Sequence, residues 1–388
     1  MRKIFTTFTL FASISNFTIQ AQGISSDYFK ARERFKIAAQ ALNDSFETVE
    51  SQSFEVKENL TVDAVYLKNR DLNKRLVVVI SGTHGVEGPA GSAIQERMLR
   101  QMRDDGKGKG SDFLFVHALN PWGFANLRRN TENNVNLNRN YWLKKADVEN
   151  TAYAKMSGWL EPRGVVQSTL TQLFSTMTQV ALGLISGMTK DEFNEGIAGG
   201  QDEFPRGLEF IGNKPEPQIE WLAQLLREKG HRYQEIQLYD IHTGLGNNGE
   251  MYLITGSTYD ENASKILTKM LPSHGPYHLT TGDSEGFYHT IGDSADFLPL
   301  VLPTSIKFLA MTVEFGTVGN RIVDKVKTLN RMILENQGHH YGYKDIQTED
   351  QVKNLFLETF LPKQTKWESD VLSKGAWLAD LILKQEGP

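Results

Sequence analysis

The 388-residue sequence contains no cysteine. Disulfide bridges and thiolate metal sites are therefore excluded. The sequence also lacks an excess of positive charge, because it contains 42 Lys and Arg residues and 47 Asp and Glu residues. The basic residues form no continuous stripe along the sequence. Nucleic acid is accordingly not expected as a partner. With 39% hydrophobic and 23% charged residues, the composition is that of a globular protein with a sizeable core.

Long uninterrupted hydrophobic runs are lacking beyond the N-terminal region. The most apolar stretch, residues 165–188, is interrupted by Gln167, Gln172 and Gln179 and by several Thr and Ser residues. This pattern favours a buried or partner-facing helix over a membrane span. We therefore expect no membrane span in the mature chain.

The N-terminus has the pattern of a secretory signal peptide over residues 1–21. A basic start, Met1-Arg2-Lys3, precedes a mainly apolar stretch over 4–19, and Ala21 offers a small residue before a cleavage point. The sequence thus predicts a secreted or periplasmic protein, or a cytoplasmic one if this segment is not a signal. The remaining residues, 22–388, are expected to form a single catalytic domain.

Segments with strand character alternate with helical patterns along the chain. Helix is expected over 26–42 and from 348 to the C-terminus, and strands are expected over 54–67, 76–81, 113–119, 236–242, 251–255 and 310–315. This alternation predicts an α/β fold in which helices sandwich a mixed, largely buried sheet. Residues 143–230 are interpreted as a helical insertion, and residues 348–388 as a helical tail. Within the insertion, the Gly- and Pro-containing loop 201–212 could line a cleft.

Half of a zinc site is indicated where the apolar run 75–80 ends. The sequence there reads His84-Gly85-Val86-Glu87, and Gly88-Pro89 then opens a helix. A histidine and a glutamate three residues apart project from one side of such a turn, and Zn²⁺ accepts imidazole nitrogen and carboxylate oxygen together. Alone, this spacing arises often by chance, and the alternative is a polar loop.

A third ligand is expected because catalytic zinc takes three protein ligands and leaves one position to water. His242 is the best candidate among the remaining histidines, since it lies at the end of a short strand. Asp240, two residues earlier on the same face of that strand, is a possible partner for the ligand's second nitrogen. His117 lies inside a strand and is interpreted as a core residue.

Three further segments complete a pattern in a fixed order. They are Asn120-Pro-Trp-Gly-Phe124, Asn138-Arg139-Asn140 and Thr312-Val-Glu-Phe-Gly-Thr317. With the His84 segment, they resemble the zinc carboxypeptidases of the carboxypeptidase A type over residues 77–317, and most of all a bacterial branch of that superfamily. The resemblance implies one zinc ion per chain, held by His84, Glu87 and His242.

The resemblance also implies roles for residues around the metal. Glu314 would be the general base, taking a proton from the zinc-bound water as it attacks the amide carbonyl and passing it to the leaving amine. Arg129 would stabilise the oxyanion, with Arg128 as the neighbouring alternative. Asn138 and Arg139 would hold the substrate's terminal carboxylate.

Further along the chain, the segment 288–297 resembles the one in which a mobile tyrosine closes over the substrate. On this match Tyr288 would donate a hydrogen bond to the substrate, and Ala295 would occupy the position that tunes side-chain preference. The chain also departs from the family pattern, since Val86 replaces a basic residue and Asn136 occupies a position that is often aspartate.

The expected function is therefore that of a zinc metallocarboxypeptidase acting on a small peptide or amide substrate. The runner-up is a zinc amidase or deacylase of N-acyl amino acids or small modified peptides, because the segment 240–243 resembles the third-ligand segment of the aspartoacylase branch. A serine hydrolase is a remote alternative, since Gly282-Asp-Ser284-Glu-Gly286 fits the nucleophile-elbow motif but lacks a good preceding strand. A binding protein without activity is the non-enzymatic alternative.

Overall fold

In the computed structural model, the described residues are 23–71, 73–145, 148–280 and 290–388. Within them, one sheet contains eight strands. The strands are β1 (Thr48–Lys57), β2 (Leu60–Lys68), β3 (Arg75–Ser81), β4 (Asp112–His117), β5 (Glu235–Gly244), β6 (Met251–Thr255), β7 (His278–Thr280) and β8 (Lys307–Gly316). The signal peptide predicted at 1–21, together with Tyr288 and Ser284, lies outside the described residues.

The sheet is mixed, with strand order β1-β2-β4-β3-β5-β8-β6-β7. Its centre is parallel, since β3 pairs in parallel with β4 and β5, and β5 pairs in parallel with β8. Antiparallel pairs flank this centre on both sides, β1 with β2 and β2 with β4 on one, β6 with β8 on the other. The predicted α/β fold with a mixed sheet is thus confirmed.

Helices cover both faces of the sheet, as its buried strands require. They are α1 (Tyr28–Gln40), α2 (Gly88–Asp105), α3 (Pro121–Ala125), α4 (Thr151–Leu160), α5 (Thr169–Ile185), α6 (Lys190–Ala198), α7 (Pro217–Gly230), α8 (Glu261–Met270), α9 (Leu298–Val301), α10 (Ile322–Tyr341), α11 (Ile346–Phe360) and α12 (Thr365–Leu383). Short 3-10 turns occur at Gly85–Glu87, Leu137–Arg139 and Ser294–Asp296.

The alternation of side chains along β3 separates the two layers of the core. Val77 and Val79 point into one cluster with α1, α2, α8 and α12. Val78 and Ile80 point into the other, with α7 and α9. All of β3 is buried, which explains why its sequence reads as a continuous apolar run. The largely buried sheet predicted from these runs is therefore confirmed.

The segment 143–230 contains α4 to α7. Its first helices form a separate small cluster, in which Tyr153, Met156 and Phe193 pack against Ile333 of α10. Its last helix, α7, instead packs against the sheet through Ile219 and its neighbours. The sequence therefore returns from this segment to the main sandwich before β5 begins.

The segment 165–188 was expected to form a buried or partner-facing helix, and it contains the helix α5. Thr176 is buried in α5, whereas Leu170, Phe174, Leu182 and Ile185 are exposed. The chain itself therefore leaves most of this apolar helix uncovered, and the partner-facing alternative stays a prediction. Among the described residues, no helix combines the length and the apolar character that crossing a membrane requires.

Two other expectations concern single elements. The strand expected over 54–67 was wrong as a single element, because the chain reverses after Lys57 and returns as the antiparallel strand β2. Asn59, with a φ of 62°, makes this reversal possible, since asparagine tolerates the left-handed region. The helical tail is confirmed as α11 and α12, with Trp367 and Val371 of α12 fully buried.

Candidate metal centre

The segment that carries the first two candidate ligands is fixed through its backbone. After β3, the 3-10 turn Gly85–Glu87 leads directly into α2. The amide of Gly85 donates to the carbonyl of Arg129 over 3.1 Å, and that of Val86 donates to the carbonyl of Arg128 over 2.8 Å. A Cβ atom at Gly85 would lie 2.1 Å from the carbonyl carbon of Gly123. This close approach explains why the Asn-Pro-Trp-Gly-Phe segment accompanies the His84 segment in the sequence.

The three candidate ligands converge on one point at the carboxyl ends of β3 and β5. His84 Nδ1 lies 2.8 Å from Glu87 Oε1, His242 Nδ1 lies 3.0 Å from Glu87 Oε2, and the two Nδ1 atoms are 3.2 Å apart. All three side chains are buried. Their ligand atoms lie within 4.8 Å of one another, which is compatible with one shared cation.

The second nitrogen of each histidine is held by a polar partner. His84 Nε2 lies 2.8 Å from Asn136 Oδ1, and His242 Nε2 lies 2.9 Å from Asp240 Oδ2. In neutral imidazoles, these oxygen neighbours favour the tautomer with the proton on Nε2, which leaves the lone pair on Nδ1. The hydroxyl of Thr83 in turn lies 2.9 Å from Asp240. Such outer contacts are what metal-binding histidines usually have.

The donor set therefore fits a metal ion. Two imidazole lone pairs and a carboxylate face each other, and the repulsion between them is relieved only by a cation or a proton. Tetrahedral ligands about 2.1 Å from Zn²⁺ lie about 3.4 Å apart, close to the spacing seen here. The Thr243 amide also donates to Glu87 Oε2 over 3.0 Å, which fixes the carboxylate.

Burial and charges within the cluster shift the pKa values of all three candidate ligands. Burial alone would raise the pKa of Glu87, but His84 and His242 hold the pKa of this carboxyl well below its usual range. Burial would lower the pKa of His242, but Asp240 and Glu87 raise it. Burial and the nearby Arg129 lower the pKa of His84. The opposite shifts of Glu87 and His242 reflect the attraction between a carboxylate and an imidazole that are buried in contact with each other.

Glu314 lies on β8 directly beside this cluster, because His242 and Glu314 are partners in the register of β5 and β8. Its Oε1 accepts a hydrogen bond of 2.8 Å from the amide of Leu245. Burial, followed by the charge of Glu87, raises the pKa of Glu314 to about 8. The carboxyl is thus fixed in position next to the cluster and holds its proton more tightly than an ordinary glutamate.

The two neighbouring arginines face different surroundings. Arg129 lines the same cavity as Glu314, and its Nη1 donates to Glu209 Oε1 over 2.6 Å. Arg128 instead points towards α10 and donates through Nε to Glu335 over 2.6 Å. Of the two candidates for oxyanion stabilisation, Arg129 is therefore the one that faces the metal cluster.

Asn138 and Arg139 also line the cavity. Asn138 Oδ1 accepts a hydrogen bond of 3.2 Å from the amide of Ser294. The Arg139 guanidinium is buried and donates through Nε and Nη2 to the carbonyl of Ala198 and through Nη1 to that of Asn138. Part of its donor capacity is thus committed to the protein backbone.

Glu209 was not identified from the sequence, although the loop 201–212 was expected to line the cleft. Its carboxylate is 3% exposed and accepts from Arg129 on one oxygen and from Asn136 Nδ2 on the other. No motif marks this residue, because its partners lie more than 70 positions earlier in the chain. The only indication was its place in a Gly- and Pro-containing loop.

A single cavity of about 320 Å³ connects these groups. Its walls come from the metal cluster, the end of β8, the helical segment and the turn 293–296, which contributes Ala295. The polar groups are of both signs: Glu87, Arg129, Arg139, Glu209, Asp293, Asp296, Glu314 and Lys325. This volume is sufficient for a small ligand with charged ends.

Comparison with protein families gives one match over most of the chain. The model of the family described as "Protein of unknown function (DUF2817)" matches residues 24–374. A search of curated proteins returns no match for the sequence.

Comparison with solved structures returns proteins with a similar fold. Carboxypeptidase A from Helicoverpa armigera is 12% identical, with 93% of this chain and 75% of that chain covered and a TM-score of 0.49. Bovine thrombin-activatable fibrinolysis inhibitor, solved with tick carboxypeptidase inhibitor, is 13% identical, with coverages of 91% and 98% and a TM-score of 0.48. A metallo-carboxypeptidase from Pseudomonas aeruginosa is 15% identical, with coverages of 90% and 69% and a TM-score of 0.42.

Proposed function

The chain belongs to the DUF2817 family, and we propose that it is a zinc-dependent hydrolase of peptide or amide bonds, most specifically a metallocarboxypeptidase. The observation that carries the proposal is the convergence of His84, Glu87 and His242, with both Nδ1 lone pairs directed to one point. Burying charged groups costs free energy, so an uncharged core would stabilise the fold better than a buried cluster of this composition. We therefore attribute the cluster to function.

His84, Glu87 and His242 would hold one zinc ion. When bound, zinc supplies Lewis acidity, which polarises a carbonyl and lowers the pKa of a water molecule towards 7. Glu314, beside the cluster and open to the cavity, is the group proposed to take the proton of the attacking water, once a bound cation offsets the burial and the charge of Glu87 that raise its pKa. As the C–N bond breaks, Glu314 would return this proton to the leaving amine. Its amide contact with Leu245 keeps the carboxyl in place throughout.

Arg129 is proposed to stabilise the negative charge that develops on the carbonyl oxygen. Its guanidinium lines the cavity and is oriented by its ion pair with Glu209. A fixed donor of this kind acts strongly, since the site is largely shielded from water.

For the substrate, Asn138 and Arg139 are proposed to bind a terminal carboxylate, with Tyr288 donating a further hydrogen bond. Ala295 itself contributes a small, uncharged side chain to the cavity wall, between the acidic residues Asp293 and Asp296. A planar guanidinium can bind both oxygens of a carboxylate.

A second candidate is a zinc amidase or deacylase whose substrate needs no free C-terminal carboxylate. One observation favours it: Arg139 directs three of its N–H groups to the backbone carbonyls of Ala198 and Asn138. Replacing Arg139 by alanine and comparing free-acid with amidated substrates separates the two candidates. Selective loss on the free acid supports the carboxypeptidase, whereas equal losses on both would contradict the carboxylate-binding role.

The first experiment is elemental analysis of the purified protein together with turnover of C-terminal peptide substrates before and after chelation. We expect about one zinc per chain, loss of turnover on chelation and its return when zinc is added. No zinc, and no uptake when zinc is supplied, would contradict the proposed function.

Glu314→Gln tests the general base in the same assays. We expect turnover to fall at least about 10²-fold while zinc remains bound, because the amide has the shape of the carboxyl but cannot take the proton. Glu349→Gln is a matched control, since Glu349 forms a surface ion pair with Lys353 on α11. Retained activity in Glu314→Gln would remove Glu314 from this role.

A further inference from the structure

We propose that Glu209 is a positioning residue that supplies, through Asn136, the negative charge behind the metal ligand His84 and at the same time orients Arg129. This assignment rests on the proposed zinc function. It adds a residue from the helical segment 143–230 to a centre that is otherwise built from the ends of strands.

The orientation of the Asn136 side chain follows from its neighbours. Its Oδ1 accepts a hydrogen bond of 2.9 Å from the amide of Asn138, which can only donate. The same oxygen faces His84 Nε2 at 2.8 Å. Asn136 Nδ2 must therefore point the other way, and there it donates to Glu209 Oε2. The Glu209 carboxylate, the Asn136 amide and the His84 imidazole thus form one chain of contacts.

The charge of Glu209 reaches this chain because the carboxylate is buried. Its second oxygen accepts from Arg129 over 2.6 Å, and Arg139 Nε lies 4.0 Å from the carboxylate. One buried anion thus contacts both the group that orients the first ligand and the group proposed to stabilise the oxyanion. Asn136 cannot supply this charge itself, since its amide is neutral.

The backbone around Glu209 is fixed in a conformation that glutamate seldom adopts. Its φ is 55°, in the left-handed region, which is unfavourable for a residue with a Cβ atom. The neighbouring residue Phe210 pairs with Gln201, and its carbonyl accepts a hydrogen bond of 2.8 Å from the amide of Asn136. The backbone contact and the side-chain contact therefore join the same two segments.

Glu209→Gln tests the assignment, because it removes the charge and nearly preserves the shape. We expect zinc affinity of the metal-free protein, measured by competition with a chromophoric chelator, to fall about 10–100-fold. Glu335→Gln is the matched control, since Glu335 is also a buried carboxylate paired with an arginine, Arg128, but faces away from the cavity. We expect the control to keep the zinc affinity of the wild type.

Asn136→Asp gives a readout that a purely structural role would not change. In the wild-type background the new carboxylate would face Glu209, and we expect zinc affinity to fall through repulsion between like charges. In the Glu209→Gln background the same change places the charge directly behind His84, and we expect zinc affinity to return to within about threefold of the wild type. Since Arg129 still lacks its anionic partner, kcat of this double variant should remain low.

Two outcomes would overturn the assignment. One is equal zinc affinity in Glu209→Gln and Glu335→Gln, whether both are normal or both are lowered. The other is that Asn136→Asp lowers zinc affinity equally in both backgrounds. Failure of the proposed function is distinguishable from these, because the wild-type protein itself would then take up no zinc and both proposals would fall together.

Discussion

At the scale of the residue, His117 shows how burial fixes a protonation state outside the metal centre. It is fully buried, stacks on Phe35 with ring centroids 4.6 Å apart, and contacts the Ser92 hydroxyl through Nε2 at 2.9 Å. Burial lowers the pKa of His117 to about 4. The residue is therefore neutral in the folded protein at pH values where an exposed histidine would carry a proton.

A pH-dependent loss of stability follows from this pKa. The unfolded chain takes up a proton at His117 near pH 6.5, whereas the folded chain does so only near pH 4, so folding stability falls as the pH drops through this interval. At pH 5 the loss amounts to about 2 kcal/mol relative to pH 8. In His117→Gln this contribution should be missing. Urea unfolding of both proteins at pH 8 and pH 5 measures it, and identical pH dependence in the two would contradict the prediction.

The candidate ligands could be predicted from the sequence, whereas the residues that orient them could be predicted only in part. His84, Glu87 and His242 stand in motifs or at strand ends, and Asp240 follows from the two-residue period of a strand. Glu209 carries no such mark, since its role depends on contacts with residues far away in the chain. Local patterns report local geometry, and a buried ion pair between distant segments leaves no pattern.

At the scale of the element, the turn that carries His84 depends on the close approach of two backbones. Gly85 lies against the backbone of Gly123 and Phe124 in α3, which leaves no room for a Cβ atom on Gly85. The Asn120 side chain strengthens this contact, because it accepts from the Gly123 amide over 2.8 Å and donates to the carbonyl of Arg129 over 3.2 Å. The two motifs are thus parts of one packing unit.

Gly85→Ala should therefore disturb both the fold and the metal centre. We expect a loss of about 1–3 kcal/mol in the free energy of unfolding, because the new methyl group meets rigid backbone, together with weaker zinc binding. Gly158→Ala is the control, since nothing lies within 4 Å of a Cβ at this exposed helical position. The control should be neutral or slightly stabilising. Normal zinc affinity in Gly85→Ala would contradict the proposed packing unit.

Elements differ in how far the sequence predicts them. The central strands can be recognised in the sequence as continuous apolar runs, because helices cover both faces of the sheet. The run over 165–188 is similarly apolar, but α5 lies largely exposed at the surface of its own chain. Hydropathy reports what a segment would gain from burial and does not report whether another element is present to bury it.

At the scale of the whole molecule, the C-terminal region closes the sandwich. Trp367 of α12 is fully buried and donates through Nε1 to the carbonyl of Gly316 over 2.8 Å, at the end of the strand that carries Glu314. The Arg75 guanidinium at the start of β3 donates to the carbonyl of Glu386 over 2.8 Å. Contacts thus join residues more than 300 positions apart, which supports the proposal that residues 22–388 unfold as one unit.

Substitutions at Trp367 test this closure. Trp367→Phe removes one hydrogen bond and part of the ring, and we expect a loss of about 1–2 kcal/mol. Trp367→Ala leaves a large cavity and should cost about 3–5 kcal/mol. In both variants we expect a single thermal transition shifted to lower temperature. Separate transitions for the tail and the remaining chain would contradict a single cooperative unit.

The strand order could not be read from the sequence, although the fold class could. β3 and β5 are neighbours in the sheet but are separated in the chain by the whole helical segment. β8 lies next to β5 in the centre, although β6 and β7, which precede it in the chain, lie at the edge. Period and composition identify strands one at a time. Their pairing is decided by contacts between distant parts of the chain.

The parallel centre of the sheet has a consequence for how the protein would bind the proposed metal ion. The strands β3, β5 and β8 lead to His84, His242 and Glu314, and they are the part of the molecule enclosed by both helical layers. Backbone amides in such strands exchange with deuterium only when the whole protein opens. The ligand atoms are therefore assembled before any ion arrives, so chelated protein should keep its exchange protection in these strands and recapture zinc without a refolding step.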